Sequence, residues 1–267
     1  MGPTLGGVVI GFAVLAAILW PIERLRPAVP GQRIRRAGLG TDVAYWFFTP
    51  LVTRGITRAA VIAAVLVLAA AAGVPLEKES IGAFLAAPGP WVRRQPGWLQ
   101  ALEVLLLGDL VGYWTHRLFH GRRLWRFHAV HHSSKQLDWL SAVRLHPVND
   151  VVTRVASVIP VLLLGFSPTI LAAYVPFLAF YAILLHANVP WTFGRLRHVL
   201  ASPTFHRWHH TSEDEGLDKN FAGLFPFLDL AFGTFFVPPR PPSRFGLSRE
   251  DVPETLLAQL AYPFRRF

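Results

Sequence analysis

The sequence predicts an all-α protein lodged in a membrane, and three observations predict it. The chain has 267 residues, of which 52% are hydrophobic and only 16% are charged, with a mean hydropathy of +0.38. Its apolar residues gather into long uncharged stretches of bilayer-crossing length. Its histidines recur at three- and four-residue spacings, which place side chains on one helix face. The length allows one or two domains.

The formal net charge is +10 and there is no cysteine. A basic excess on so apolar a chain suits an anionic membrane surface rather than nucleic acid. The absence of cysteine excludes disulfides, iron–sulfur clusters and thiolate-ligated haem.

The first span is read over Leu5 to Pro21, with no charge inside it. It lacks a basic leader and a small-x-small cleavage site, so it reads as a retained span rather than a signal peptide. Arg24, Arg26, Arg33, Arg35 and Arg36 follow, and the positive-inside rule places them in the cytoplasm. A second apolar region covers Val43 to Pro75 and is interrupted by Arg54 and Arg58. Its aromatic start, AYWFFTPLV, suits the membrane interface. A loop with Pro, Gly and Trp runs from Leu76 to Trp98, and a third span runs from Leu99 to about Thr115.

Val151 to Ala187 is nearly uncharged, with Gly165, Ser167 and Pro168 near its middle. It reads as a helical hairpin whose second arm ends at His186. From Pro190 the chain is more polar, with an amphipathic or interfacial stretch over Asn220 to Val237. Four prolines between 238 and 242 lead into a short tail. The expected architecture is a membrane helical bundle of four or five hydrophobic segments with a cytoplasmic histidine-rich cap. The expected division is 1–98 for the N-terminal spans and loop, 99–237 for the histidine-bearing domain and 238–267 for the tail. An outside N-terminus and three spans carry His116 to His132 into the cytoplasm, and the hairpin brings His186 back to them.

Eight of the eleven histidines form three clusters: His116 and His120; His128, His131 and His132; His206, His209 and His210. Imidazole is the commonest metal ligand among side chains. Eight are too many for one four-coordinate zinc, so two metal ions are expected. In each H-x2-HH block the i+3 and i+4 rings splay enough to reach different ions. His186 is a further expected ligand. His146 is read as a ligand or as a helix cap beside Pro147, and His198, in a basic run, as solvated.

Asp109 and Tyr113 precede His116 on roughly its own face. A carboxylate within a span is costly and usually functional, so Asp109 is expected to accept an imidazole N–H and orient the ring. Tyr113 and Asn188 are further supporting candidates. Imidazole suits Zn, Cu, Fe and Ni. A two-metal, nitrogen-rich site in a membrane suits oxygen chemistry with two irons and O2, directed at an unactivated C–H bond of a lipid. No haem or flavin fingerprint is present, so electrons are expected from a separate donor. The nearly bare spans argue against a metal carrier, which needs ionisable residues along its path.

These motifs resemble the fatty acid hydroxylase and sterol desaturase superfamily of integral membrane di-iron enzymes. The pieces are D-x3-Y-W-x-H-R-x2-H from Asp109, HAVHHSS from His128, RLHP from Arg144 and HANV from His186. SPTFHRWHH from Ser202, DKNFAG from Asp218 and LDLAFGTF from Leu228 complete them. The resemblance implies that the eight clustered histidines bind metal and that His186 lies in the metal region. It draws attention to Asn220 and Asp229. It implies hydroxylation or desaturation of a sterol, fatty acyl chain or carotenoid, with electrons from a ferredoxin, a cytochrome b5-like protein or a reductase. The membrane expected is a bacterial inner membrane. The DKNFAG and LFGTF-like region is also similar to the ether-cleaving alkylglycerol monooxygenases. Many relatives have W-D-R where this chain has Leu228-Asp229-Leu230, a change read as one of local surface.

Overall fold

A computed structural model describes residues 4–86, 90–166, 168–247 and 250–265. Among these residues the chain is helical, and the only β pairing is an isolated bridge between Thr211 and Phe245. Ser167 lies outside the described residues.

Helix α1 (Leu5–Leu25) begins where Thr4 Oγ1 accepts the amide of Gly7 at 3.1 Å, a side-chain N-cap. It runs four residues past the expected end at Pro21. Helix α2 (Leu39–Phe48) passes through a π turn (Thr49–Thr53) into α3 (Arg54–Ala71). Pro50 removes one helical donor, and the wider turn carries the helix past it. The aromatic AYWFF stretch is therefore continuous with α3 in a 33-residue apolar run. The expected loop before Trp98 contains α4 (Lys78–Ala86) and α5 (Pro90–Arg94), after which come α6 (Gly97–Phe119) and α7 (Trp125–His132). Helices α8 (Pro147–Leu163) and α9 (Pro168–His186) form the two arms, and α10 (Pro203–His209), α11 (Phe227–Ala231) and α12 (Leu256–Ala261) complete the order.

Among the described residues, three segments are long and apolar enough to cross a membrane: α1, the run Leu39–Ala71, and Thr169–His186. Four or five were expected. The reason for the lower count is chemical. Gln100, Glu103, Asp109 and His116 dilute the apolarity of α6, and α8 has 17 residues with Asn149, Asp150 and Arg154 in its first half. Both pack among the apolar helices: α6 lies against α8 and α9, and α3 lies against α8. Gly108 makes the α6–α9 approach possible, because a Cβ there would fall 1.8 Å from the Tyr174 hydroxyl.

Fully buried Trp139 anchors one core, with Phe12, Trp20 and Trp46 ringed around it at centroid distances of 5.8–5.9 Å. Buried charges stitch the helix ends to the segment between α7 and α8. Arg36 bonds Asp42 and Asp138, each at 2.6 Å, and Arg144 bonds Asp42 at 2.6 Å. Glu23 accepts the amides of Trp139 (2.9 Å) and Asn188 (2.8 Å). Buried ion pairs are poor sources of net stability, but they tolerate no missing partner, so they fix where these segments lie. The tail folds back as well: Val252 and Tyr262 are buried with Tyr45, Ala129 and Val130.

Candidate metal centre

The histidines converge at the end of the bundle where α6 and α9 finish. His116 and His120 ride the last turn of α6 and its cap. Helix α7 presents His128, His131 and His132. Helix α10 presents His206 and His209, with His210 as its C-cap, and starts where Ser202 Oγ accepts the Phe205 amide at 3.2 Å. His186 closes α9.

The nine rings sort into two groups in which all ligating nitrogens lie within 4.8 Å of one another. One is His116, His120, His128, His132 and His209; the other is His131, His186, His206 and His210. The i, i+4 pairs His128/His132 and His206/His210 stay together. The i+3 residue of each H-x2-HH block crosses over, His131 to the group of α10 and His209 to that of α7. The groups touch, with the His132 and His210 rings stacked at 4.4 Å.

Tautomers follow from the outward hydrogen bonds. His116 donates Nδ1–H to the Phe221 carbonyl (2.9 Å) and His128 to Asn149 Oδ1 (2.6 Å). His131 donates to the Arg144 carbonyl (2.9 Å), His186 to the Ala182 carbonyl (2.7 Å) and His209 to the Lys219 carbonyl (2.8 Å). A neutral imidazole has one N–H, so these Nε2 atoms carry bare lone pairs. Yet His116 Nε2 lies 3.0 Å from His128 Nε2, and His131 Nε2 lies 3.2 Å from His186 Nε2. His120 Nε2 and His209 Nε2 are buried with no hydrogen-bond partner.

Lone pairs facing at such distances repel unless a cation lies between them. Imidazolium does not fill that role. Burial, followed by neighbouring imidazoles, holds His128, His132, His206, His209 and His210 well below the ordinary imidazole value, and burial with His186 does so for His131. Neutral imidazoles with Nδ1–H donated outward and Nε2 turned inward form the donor set of a metal site. The residues fit metal ions.

The supporting residues differ from several expectations. Asp109 touches no imidazole. Its carboxylate accepts the amides of Gly223 (2.9 Å), Leu224 (3.0 Å) and Phe225 (2.7 Å). Asp229 accepts those of Phe221 (2.8 Å) and Ala222 (2.9 Å). Together they clamp the 218–225 loop, whose Phe221 and Lys219 carbonyls orient His116 and His209. Asp109 thus acts through the loop, because the helix face it shares with His116 meets the loop's free amides first. That loop packs over the cluster, with Phe221, Ala222, Leu224 and Phe225 buried, while Phe227, Leu230 and Phe232 beyond it are exposed, an amphipathic division.

Tyr113 bonds Thr234 (2.8 Å) and receives Arg117 (3.2 Å). Asn220, at φ +60°, binds the Phe205 and Phe236 carbonyls at 2.9 and 2.7 Å and so steadies α10. Asn188 accepts the Val29 amide at 2.9 Å and ties α9 to the chain after α1. His146 lies outside both groups. It caps α8, accepting the Val148 amide at 3.2 Å, and donates Nε2–H to the Leu260 carbonyl at 3.1 Å. The cap beside Pro147 is the reading that the structure realises.

Asn149 was missed, and so were the backbone acceptors at Phe221, Lys219, Arg144 and Ala182. Asn149 sits three residues after His146 and carries no spacing relation to His128. Asp218 bonds His120 Nδ1 at 2.9 Å, whereas Asp138 is spent on Arg36 and on capping the turn at Trp139.

Comparison with known proteins agrees with this geometry. The chain is 34% identical over 178 residues to the ornithine lipid hydroxylase OlsE of Rhizobium tropici, covering 66% of this chain and 54% of that protein. It is 34% identical over 150 residues to the alkylglycerol monooxygenase of Danio rerio, covering 55% and 32%. It is 28% identical over 139 residues to a putative methylsterol monooxygenase of Dictyostelium discoideum, covering 51% of each. The matches thus span about half or less of these relatives' own lengths. No solved structure matches significantly. The fatty acid hydroxylase family model matches residues 101–234, a stretch that begins in α6, ends just after α11 and holds all nine converging histidines, and the chain belongs to that family.

Proposed function

We propose that the chain is a membrane-bound non-haem di-iron oxidoreductase that uses O2 to hydroxylate, or desaturate, a C–H bond of a membrane lipid such as a sterol, fatty acyl chain or carotenoid. One observation carries this: two touching groups of five and four inward-facing imidazoles at the mouth of an apolar helical bundle. When bound there, two irons supply electrons for reducing O2 and an oxidant strong enough for an unactivated C–H bond, which no side chain can supply. No side-chain nucleophile is then needed.

The protein's own residues would hold and orient. The five-imidazole group would bind one ion and the four-imidazole group the other. Asn149 and the carbonyls of Phe221, Arg144, Ala182 and Lys219 keep the rings neutral and correctly turned. Phe221, buried against the rings of His116, His120 and His209, keeps water from them. The segment 99–237 would be the catalytic domain, with 1–98 as its membrane spans and 238–267 as a tail.

The basic run after α1 supports a cytoplasmic site, because that run leaves the membrane at the end where α9 delivers His186. A bacterial inner membrane suits this arrangement. Electrons would come from a separate donor, a ferredoxin, a cytochrome b5-like protein or a reductase. A second reading, ether-lipid cleavage through hydroxylation beside the ether oxygen, is favoured by the alkylglycerol monooxygenase relatives. Lipid profiling of cells with the intact gene and with His131→Ala tests both. A new hydroxylated or desaturated lipid in the intact cells alone supports the first reading, and loss of ether lipids supports the second. Identical lipids in both strains contradict both.

A further inference from the structure

Behind the imidazoles, on the other side of α10, lies a cavity of about 930 Å³. Its wall includes Arg195, Arg197, Arg207 and Arg240, and no carboxylate lines it among the described residues. Arg240 is neutralised by Glu213, at 2.6 Å, and by Glu215. Arg195, Arg197 and Arg207 make no contact ion pair among the described residues, although Glu23 and Asp138 act on Arg207 from further off and its guanidinium lies over the Phe245 ring at 4.7 Å. Arg197 gives its Nε–H to the His198 ring at 3.3 Å. Arg207 is 1% exposed. It donates Nη1–H to the Leu137 carbonyl at 3.0 Å, and its buried Nε and Nη2 have no protein acceptor. A buried guanidinium with unmet N–H groups is costly, and a concave wall of guanidiniums that no carboxylate lines suits an oxyanion.

The depth of the cavity says which oxyanion. Ala28 and Pro190 also line it, three residues beyond the end of α1 at Leu25 and four beyond the end of α9 at His186. Both of these helices are long and apolar enough to cross the membrane. The cavity therefore opens at the level where lipid headgroups lie. Two exposed guanidiniums with no carboxylate in contact, backed by a buried third whose Nε and Nη2 lack an acceptor, exceed what a single carboxylate needs and match a phosphate.

We propose that this cavity is a headgroup subsite that holds the phosphate of a membrane lipid against Arg195 and Arg197, with Arg207 as its charged back wall. It gives the enzyme a phospholipid as substrate class, and in that respect rests on the lipid-oxidising reading above. Arg195 and Arg197 are exposed, so replacing them spares the fold.

The full chain in neutral detergent is titrated with dioleoyl phosphatidic acid and with dioleoylglycerol, which differ only by the phosphate. Bound lipid is read by native mass spectrometry, with inorganic phosphate as competitor and with iron content measured on the same samples. The expected result is a preference of about tenfold or more for phosphatidic acid, reduced to about threefold or less in Arg195→Gln/Arg197→Gln. Equal binding of the two lipids, or an unchanged preference in the double variant, overturns the subsite. Displacement of phosphatidic acid by millimolar inorganic phosphate also overturns it, in favour of a site for free phosphate. The preference without iron supports the subsite and contradicts the metal reading. Iron without the preference does the reverse.

Discussion

The Nε2 atoms of His116 and His128 face each other at 3.0 Å, although each ring donates its Nδ1–H outward. That pairing of lone pairs is stable only with a cation between them. Metal binding should therefore stabilise the fold. Loading at about 100 times the dissociation constant contributes on the order of 3 kcal/mol. Chelation followed by a thermal melt should show a clear drop in Tm, restored by added iron. A Tm indifferent to chelation would mean that the rings pack without an ion.

The crossing of His131 and His209 between groups makes a sharper expectation. His209→Ala removes a ring from the five-imidazole group, and His206→Ala removes one from the four-imidazole group. Each should lower bound iron by about one ion per chain rather than two, because the opposite group keeps its rings. Elemental analysis of the purified variants checks this. Unchanged metal content in both would dissociate the rings from metal binding.

Asn149 touches only His128 among the imidazoles, at 2.6 Å. Its loss should free that ring to turn or to change tautomer. Asn149→Ala should weaken metal affinity by about 10–100-fold, and Asn149→Asp, which keeps the acceptor, should recover most of it. A metal competition titration separates this from a packing defect, which both variants would share.

Asp109→Ala leaves the amides of Gly223, Leu224 and Phe225 without their acceptor. Each unmet buried amide costs about 1–3 kcal/mol, so the buried amides of Leu224 and Phe225 alone should cost about 2 kcal/mol or more. Thermal unfolding measures it, and hydrogen exchange should localise the loosening to the 218–225 loop. Protection spread evenly over the fold would contradict a loop clamp.

The lowered values of His128, His131, His132, His206, His209 and His210 set a direction for pH. Below about pH 6.5 the unfolded chain takes up protons on these rings and the folded metal-free protein does not. Stability of the metal-free protein should hold above about pH 7 and fall as pH drops below about 6.5. Denaturant melts across pH 8 to 5 check it. Flat stability over that window would mean that the rings titrate normally when folded.

The histidine spacings announced which elements meet. An i, i+4 pair shares a face, so His128/His132 and His206/His210 were legible as pairs, and the splaying of adjacent rings foretold the crossing. His186 was legible because it ends an apolar arm. What holds the rings was not legible. Four of the six outward Nδ1 partners that fix a tautomer are backbone carbonyls, which every residue type carries, so no letter marks them. The spacing of Asp109 from His116 pointed at an imidazole, but the loop's free amides claim it. His146 looked like one more ligand by residue type, and its position before Pro147 told the truer story. The span count is less exact at α6 and α8, where polar residues lower the average apolarity and α8 is 17 residues long.

The most direct test of the central claim is the metal content of the detergent-purified full chain, grown on iron-57 and examined by elemental analysis with Mössbauer spectroscopy. Two adjacent imidazole groups predict close to two irons per chain with a coupled non-haem signal. Zinc alone, or less than one metal ion per chain after anaerobic preparation, would contradict a di-iron centre.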